Sequence, residues 1–96
     1  MIVKAPKSME AYVTQYLAMA RTQLSEMLHA PDYPSFPRLK TLGHNFKGSA
    51  ASFGLVELGS LGDALESAAD ARDAAAVDAA VGAIQRHLAA VRVEFE

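Results

Sequence analysis

The sequence contains no cysteine, which excludes disulfide bonds and metal sites built from thiolates. No run of about 18 apolar residues is present, so we expect no transmembrane helix. The N-terminal stretch MIVKAPKSMEAY lacks the continuous apolar segment of a signal peptide, which makes the cytoplasm the expected location. Nine basic and eleven acidic residues give a net charge of −2, which argues against nucleic-acid binding through a broad basic surface.

The remaining composition is that of one small helical domain. The 96 residues correspond to a single domain, 1–96, and show no repeat, linker or second domain. Hydrophobic residues make up 51% of the chain, enough for a core. Many of them are alanine, which favours helices and close helix packing.

Apolar residues recur at intervals of three and four in four segments, at about 8–29, 35–53, 55–69 and 73–95, which predicts four amphipathic helices. The apolar positions of the first segment are Met9, Tyr12, Val13, Tyr16, Leu17, Ala20, Leu24, Met27 and Leu28. Those of the second are Leu39, Leu42, Phe46, Ala50 and Phe53, and those of the third are Leu58, Leu61, Leu65 and Ala69. Those of the fourth are Val77, Val81, Ile84, Leu88, Val91 and Phe95. We expect no strand, and the predicted fold is all-α, an antiparallel up-down-up-down four-helix bundle.

The ends of these helices carry recognisable signals. Ser8 and Asp73 are predicted N-caps, and the second helix should begin at Ser35 or Phe36, after a proline-rich loop. Gly54 is predicted to end the second helix in the left-handed conformation. Because the turn at Gly54 is very short, the second and third helices should be antiparallel neighbours.

The stretch TLGHNFKGSAASFG contains a histidine on the outward face of the second helix. At 100° per residue, His44 lies about 140° from Leu39 at the centre of the apolar stripe. A neutral imidazole is a nucleophile near neutral pH. Lys47, one turn onward, could offset negative charge arriving on the imidazole. Gly48 leaves space beside the ring, although glycine destabilises a helix by about 1 kcal/mol relative to alanine.

The short turn also predicts a partner for the histidine. His44 lies eleven residues before Leu55 and Glu66 lies eleven after it, so the two side chains should be level in an antiparallel hairpin. A carboxylate at Glu66 could accept the imidazole Nδ1–H, which would fix the tautomer and present Nε2 to solvent. By the same count Lys47 is level with Asp63.

Each of these residues also has a simpler interpretation. Lys47 could be a surface lysine paired with Asp63, and Glu66 a solvated carboxylate. Gly48 and Gly62 could be packing glycines between the second and third helices.

The other two histidines lack such neighbours. His29 is predicted at a helix C-terminus, and His87 on a solvated helix face. Neither histidine has another His or a carboxylate at a convincing metal-ligand spacing.

The segment GHNFKGSAASFGLVELGSLGDALE, residues 43–66, resembles the signature of histidine-containing phosphotransfer (HPt) domains. That signature reads as a small residue, His, two further residues, Lys-Gly-Ser, a glycine that ends the helix, and then leucines that lead to Leu-Glu or Leu-Gln. The match covers about a quarter of the chain, and the four predicted helices agree with the bundle of that family. Departures are the polar Asn45 and Gly43, where alanine is more usual. The sequence offers no reason for Gly43.

The resemblance implies a phosphorelay intermediate. His44 would take a phosphoryl group through Nε2 from an aspartate of a receiver domain and pass it to an aspartate of another receiver. Lys47 would help to neutralise the phosphoryl oxygens, Gly48 would leave room for the receiver, and Glu66 would orient the imidazole. The chain has no Gly-rich phosphate loop or kinase motif, so it would act as a phosphoryl carrier without ATP-binding or kinase activity of its own.

The same resemblance sets expectations for partners and cofactors. The partners would be response-regulator receiver domains, a hybrid histidine kinase, or both, with no nucleic acid or membrane involved, and the chain would be a monomer. The Mg²⁺ needed for transfer would belong to the receiver, so no cofactor or metal is expected here. Docking contacts are expected at Lys40, Ala51 and Leu55, and at Leu42 if it is partly exposed.

Two other functions stay open. The chain could be the phosphoacceptor domain of a larger histidine kinase, cut out as a fragment, although the start at Met1 favours a free-standing protein. It could also be a non-catalytic helical adaptor that binds a partner helix.

Overall fold

The computed structural model describes all 96 residues. Its four α-helices are α1 Glu10–Leu28, α2 Phe36–Ser49, α3 Val56–Asp70 and α4 Ala74–Ala90. Single turns of 3₁₀ helix occupy Lys7–Met9 and Ala50–Phe53, and two short strands occupy Ile2–Ala5 (β1) and Arg92–Phe95 (β2). The prediction of an all-α four-helix bundle is therefore confirmed, with a small two-stranded sheet in addition.

Ion pairs between α2 and α3 show that these two helices run in opposite directions. Lys40 contacts Asp70, and Lys47 contacts Asp63, so residue numbers rise along one helix as they fall along the other. The two helices are antiparallel neighbours, as the short turn at Gly54 predicts.

The core contains 20 buried apolar residues, which come from all four helices and from the residues next to their ends. The largest side chains that are fully buried are Phe46, Leu39, Leu55, Leu58, Leu65, Ile84, Val13 and Val77. Burial of these side chains supplies most of the stabilisation, because removing apolar surface from water is the dominant favourable term in folding.

Three of the four predicted helix ends are present. The side chains of Ser35 and Asp73 each accept a hydrogen bond from the backbone N–H three residues onward, and these bonds cap α2 and α4. Gly54 has φ of 74°, in the left-handed region that favours glycine, and it ends the 3₁₀ turn that continues α2 beyond Ser49. The prediction for Ser8 is wrong, because Ser8 lies inside a 3₁₀ turn and α1 begins after Met9 with no side-chain cap.

The expectation of no strand is also wrong, and the fourth helix does not reach Phe95. It ends at Ala90, and β2 then pairs in parallel with β1, with Ile2 opposite Arg92. The C-terminal letters VRVEFE alternate apolar and charged residues, which is the period of a strand. Val93 and Phe95 pack against the core and account for that alternation.

Two side chains lie in environments opposite to those predicted. Tyr12 is 61% exposed, because the buried stripe of α1 begins at its neighbour Val13. His87 is buried because it shares the inward face of α4 with Ile84 and Leu88, and the carboxylate of Glu57 on α3 lies 3.8 Å from the imidazole Nδ1. The Nε2 atom of His87 is buried without a hydrogen-bond partner.

Candidate functional site

His44 projects from α2 into solvent, and its side chain is 69% exposed. The imidazole Nδ1 lies 2.8 Å from Glu66 Oε2 on α3, so the predicted pair is in contact. An ionised carboxylate can only accept hydrogen bonds, so Nδ1 carries the proton of the neutral ring. The lone pair of that ring is consequently on Nε2.

Glu66 connects the histidine to a lysine. Lys47 Nζ lies 3.5 Å from Glu66 Oε1 and 3.2 Å from Asp63 Oδ1, so the two oxygens of Glu66 contact different residues. The side chain of Glu66 is only 19% exposed, whereas those of Lys47 and Asp63 are about half exposed. The hydrogen bond and charge of Asp63, followed by those of Glu66, raise the pKa of Lys47. A cation is therefore held within one helical turn of His44.

Glu66 reaches His44 because α2 and α3 touch backbone to backbone. A Cβ atom at Gly43 would lie 2.6 Å from both the carbonyl oxygen of Gly62 and the backbone nitrogen of Glu66. A Cβ atom at Gly62 would lie 2.6 Å from the Cβ of Phe46. Such distances leave no room for any side chain at either position. The crossing explains the unusual Gly43, which directly precedes the histidine.

Gly48 differs from those two glycines. A Cβ atom there would meet no atom within 4 Å, so the space beside the imidazole is open. The packing interpretation is therefore right for Gly62 and wrong for Gly48.

The expected docking residues fall into two groups. Lys40 and Ala51 are exposed, and Lys40 Nζ contacts Asp70 Oδ1 at 2.7 Å. The prediction for Leu55 is wrong, because its side chain is 1% exposed and belongs to the core. The chain reverses at Gly54, and this directs the Leu55 side chain inward. Leu42 is also buried.

Residues of α1 complete the surface around His44, and none of them is among the predicted docking residues. A groove of about 460 Å³ lies between α1 and α2. Its lining residues are Tyr16, Met19, Gln23, His44, Asn45, Phe46, Gly48 and Ser49. Tyr12 and Met19 are large apolar residues with high exposure. Their spacing of seven places both on one face of α1, a signal that is readable in the sequence.

No group of three or more His, Asp or Glu side chains is arranged to hold a metal ion. None of the helices is both long enough and apolar enough to cross a membrane.

Comparison with known families identifies the chain. The family model of the Hpt domain matches residues 11–94, which covers the four helices except Glu10, and most of β2. Searches of curated proteins and of solved structures found no match. Hpt domains work with receiver domains and histidine kinases in phosphorelays. The chain belongs to the Hpt domain family, whose members carry out histidine phosphotransfer in two-component signalling.

Proposed function

We propose that the chain is a phosphorelay intermediate in which His44 accepts a phosphoryl group from an aspartate of one receiver domain and passes it to an aspartate of another. The observation that supports this most strongly is the 2.8 Å contact between His44 Nδ1 and Glu66 Oε2. It occupies one ring nitrogen on the protein side and leaves Nε2 as the nucleophile on the solvent side.

The reaction is a displacement at phosphorus. The Nε2 lone pair attacks the phosphorus atom of the aspartyl phosphate, a nitrogen–phosphorus bond forms, and the bond between phosphorus and the aspartate oxygen breaks. The aspartate leaves as a carboxylate with the electron pair of that bond. Because Nδ1 keeps its proton, the ring becomes cationic, and the adjacent Glu66 carboxylate stabilises the positive charge. The second transfer reverses these steps.

Lys47 supplies a positive charge on the solvent side of the site. Its contact with Asp63 joins two half-exposed side chains, and such a pair contributes little to stability. The ammonium group can therefore exchange Asp63 for phosphoryl oxygens at small cost. We place the Mg²⁺ required for transfer in the receiver, so this chain would provide the nucleophile, its orienting carboxylate and one cation.

The groove between α1 and α2 is the proposed docking surface. Met19 lines the groove as an exposed apolar residue near His44, and exposed Tyr12 lies on the same face of α1, so apolar side chains flank a polar centre, which is the usual composition of a protein interface. Exposed Lys40 on α2 and exposed Ala51 in the 3₁₀ turn that follows α2 would extend this surface. Gly48 would give a receiver close access to the imidazole. Both receivers would use the same surface, one after the other, with the chain acting as a cytoplasmic monomer.

Phosphotransfer from purified receivers tests this proposal. The chain is incubated with each phosphorylated receiver of its source organism, and the product is assayed for an acid-labile, base-stable phosphoryl group. We expect His44→Gln to abolish labelling, and we expect the matched variant His29→Gln, which removes another exposed imidazole, to label normally. Labelling of His44→Gln would contradict the proposal. Failure of the wild-type chain with every receiver would favour the adaptor interpretation instead.

A further inference from the structure

A chain of two hydrogen bonds links α1 to the last residue of α2. The hydroxyl of Tyr16 lies 2.6 Å from Ser49 Oγ, and Ser49 Oγ donates to the carbonyl oxygen of Asn45 at 2.6 Å. A serine hydroxyl has one proton, and Ser49 gives it to Asn45, so Tyr16 must be the donor in the first bond. The side chain of Tyr16 is buried, and burial raises the pKa of its phenol, so the group keeps its proton.

This link meets α2 next to a glycine and at the point where the α-helix ends. Ser49 follows Gly48, where a Cβ atom would meet no atom within 4 Å, and the helix narrows to a 3₁₀ turn from Ala50 onward. Glycine has low helix propensity, so the turn that contains Gly48 needs support from outside the helix. Tyr16 gives that support twice, because its ring also packs against Phe53 with centroids 4.8 Å apart.

His44 therefore lies between two residues of α2 that are held by neighbouring helices. On one side Gly43 is packed against the backbone of α3, and on the other side Ser49 is bonded to α1. Tyr16, His44 and Ser49 all line the same groove. A shift of the last turn of α2 would change both the direction of the imidazole and the clearance at Gly48.

We propose that Tyr16 is a positioning residue, whose hydroxyl acts through Ser49 to hold the last turn of α2 in the orientation that a receiver meets at His44. Its effect on transfer rests on the proposed function. The hydrogen bond between Tyr16 and Ser49 does not depend on that function, and its effect on α2 can be measured without a receiver.

Amide hydrogen exchange tests the link. The quantity compared is the ratio of the exchange rate at Gly48 and Ser49 to the exchange rate at Ile84, which lies in the core of α4 and monitors global stability. In Tyr16→Phe this ratio should rise about five-fold above its wild-type value. Tyr12→Phe is the matched control, because it removes an exposed hydroxyl from the same helix, and it should leave this ratio unchanged. An unchanged ratio in Tyr16→Phe would overturn the proposal.

A double-mutant cycle tests the consequence for transfer. Tyr16→Phe and Ser49→Ala should each lower the rate constant within the complex about five-fold and leave the KM for the receiver unchanged. The double variant should be no slower than Ser49→Ala alone, because both changes break one link. Ser52→Ala, which removes an exposed hydroxyl three residues onward, is the control.

Two kinetic results would overturn the positioning role. One is a rate loss in the double variant equal to the product of the two single losses, which would mean that Tyr16 and Ser49 act independently of each other. The other is a higher KM at an unchanged rate constant, which would make Tyr16 a docking contact. If the wild-type chain accepts no phosphate from any receiver, the proposed function fails, and the exchange ratios still decide whether the link exists.

Discussion

Gly62→Ala perturbs the crossing that brings Glu66 to His44. The added Cβ atom would lie 2.6 Å from the Cβ of Phe46, 2.7 Å from the carbonyl oxygen of Gly43 and 2.9 Å from the backbone nitrogen of Lys47. Two of these three atoms are backbone atoms, so a rotamer change cannot relieve the overlap. The helices must move apart instead.

The expected loss of stability follows from two opposing terms. Overpacking of a close-packed site costs about 1–3 kcal/mol, and this site should lie at the upper end because backbone atoms are involved. Replacing glycine by alanine in a helix recovers about 1 kcal/mol. The net loss in the free energy of unfolding is about 2 kcal/mol, which for a domain of this size lowers the melting temperature by about 8–16 °C.

Gly59→Ala is the matched control, because it makes the same change one turn earlier in α3. A Cβ atom there would meet its nearest neighbour at 3.7 Å, an ordinary van der Waals distance. Only the gain in helix propensity remains, so Gly59→Ala should be more stable than wild type by up to about 1 kcal/mol. Thermal unfolding followed by circular dichroism measures both variants. A Gly62→Ala chain as stable as wild type, or an equal loss in Gly59→Ala, would refute the close crossing.

Three further predictions concern single side chains. Gly48→Ala should raise the free energy of unfolding by up to about 1 kcal/mol and yet slow transfer, because the new methyl group fills the open space beside His44; thermal unfolding and transfer kinetics measure the two effects. Lys47→Ala should slow transfer at least several-fold and leave the melting temperature nearly unchanged, because exposed ion pairs stabilise little. The free energy of unfolding should fall as the pH drops below about 6.5, because burial lowers the pKa of His87 and the folded chain then binds fewer protons than the unfolded chain. Denaturant titrations at a series of pH values should show this loss, and His87→Leu should reduce it.

The pH prediction depends on the groups that face His87. The carboxylate of Glu57 opposes the lowering of the His87 pKa, and the N-terminal ammonium of Met1 adds to it, while burial is the largest cause. Stability should therefore rise with pH up to about 6.5 and then level off. His29→Gln, which removes an exposed imidazole, should retain the wild-type profile. A His87→Leu chain with an undiminished loss of stability in acid would contradict the assignment.

The predictions for Gly48→Ala and Lys47→Ala can each be contradicted by one result. If Gly48→Ala transfers as fast as wild type, Gly48 does not provide access for a receiver. If Lys47→Ala unfolds at a much lower temperature, the lysine has a structural role that its exposure does not explain.

Much of the site was predictable because it depends on local rules. Helical periodicity placed His44 on the outward face, and the short turn at Gly54 brought Glu66 level with it by counting along two antiparallel helices. Both rules use only the positions of residues within one helix or within two consecutive helices. N-cap preferences, which are also local, predicted Asp73 as one helix cap and Ser35 or Phe36 as another, and the structure has Asp73 and Ser35.

Features that depend on distant parts of the chain were missed. The parallel pairing of Ile2 with Arg92 joins the two ends of the sequence, and no local pattern specifies the partner of a short strand. Leu55 was placed on the surface because the direction of its side chain depends on how the turn closes over the core. The bond between Tyr16 and Ser49 depends on the rotation of α1 against α2, which periodicity alone does not fix.

The central claim is that Nε2 of His44 accepts the phosphoryl group. Detecting the nitrogen–phosphorus bond at this atom tests the claim most directly. In nuclear magnetic resonance spectra of nitrogen-labelled protein, the neutral imidazole should carry its proton on Nδ1, and phosphorylation should couple phosphorus to Nε2 of His44. The Nδ1 proton should also exchange faster in Glu66→Ala, which removes its acceptor. Phosphorus on Nδ1 of His44, or on any other residue, would contradict the account.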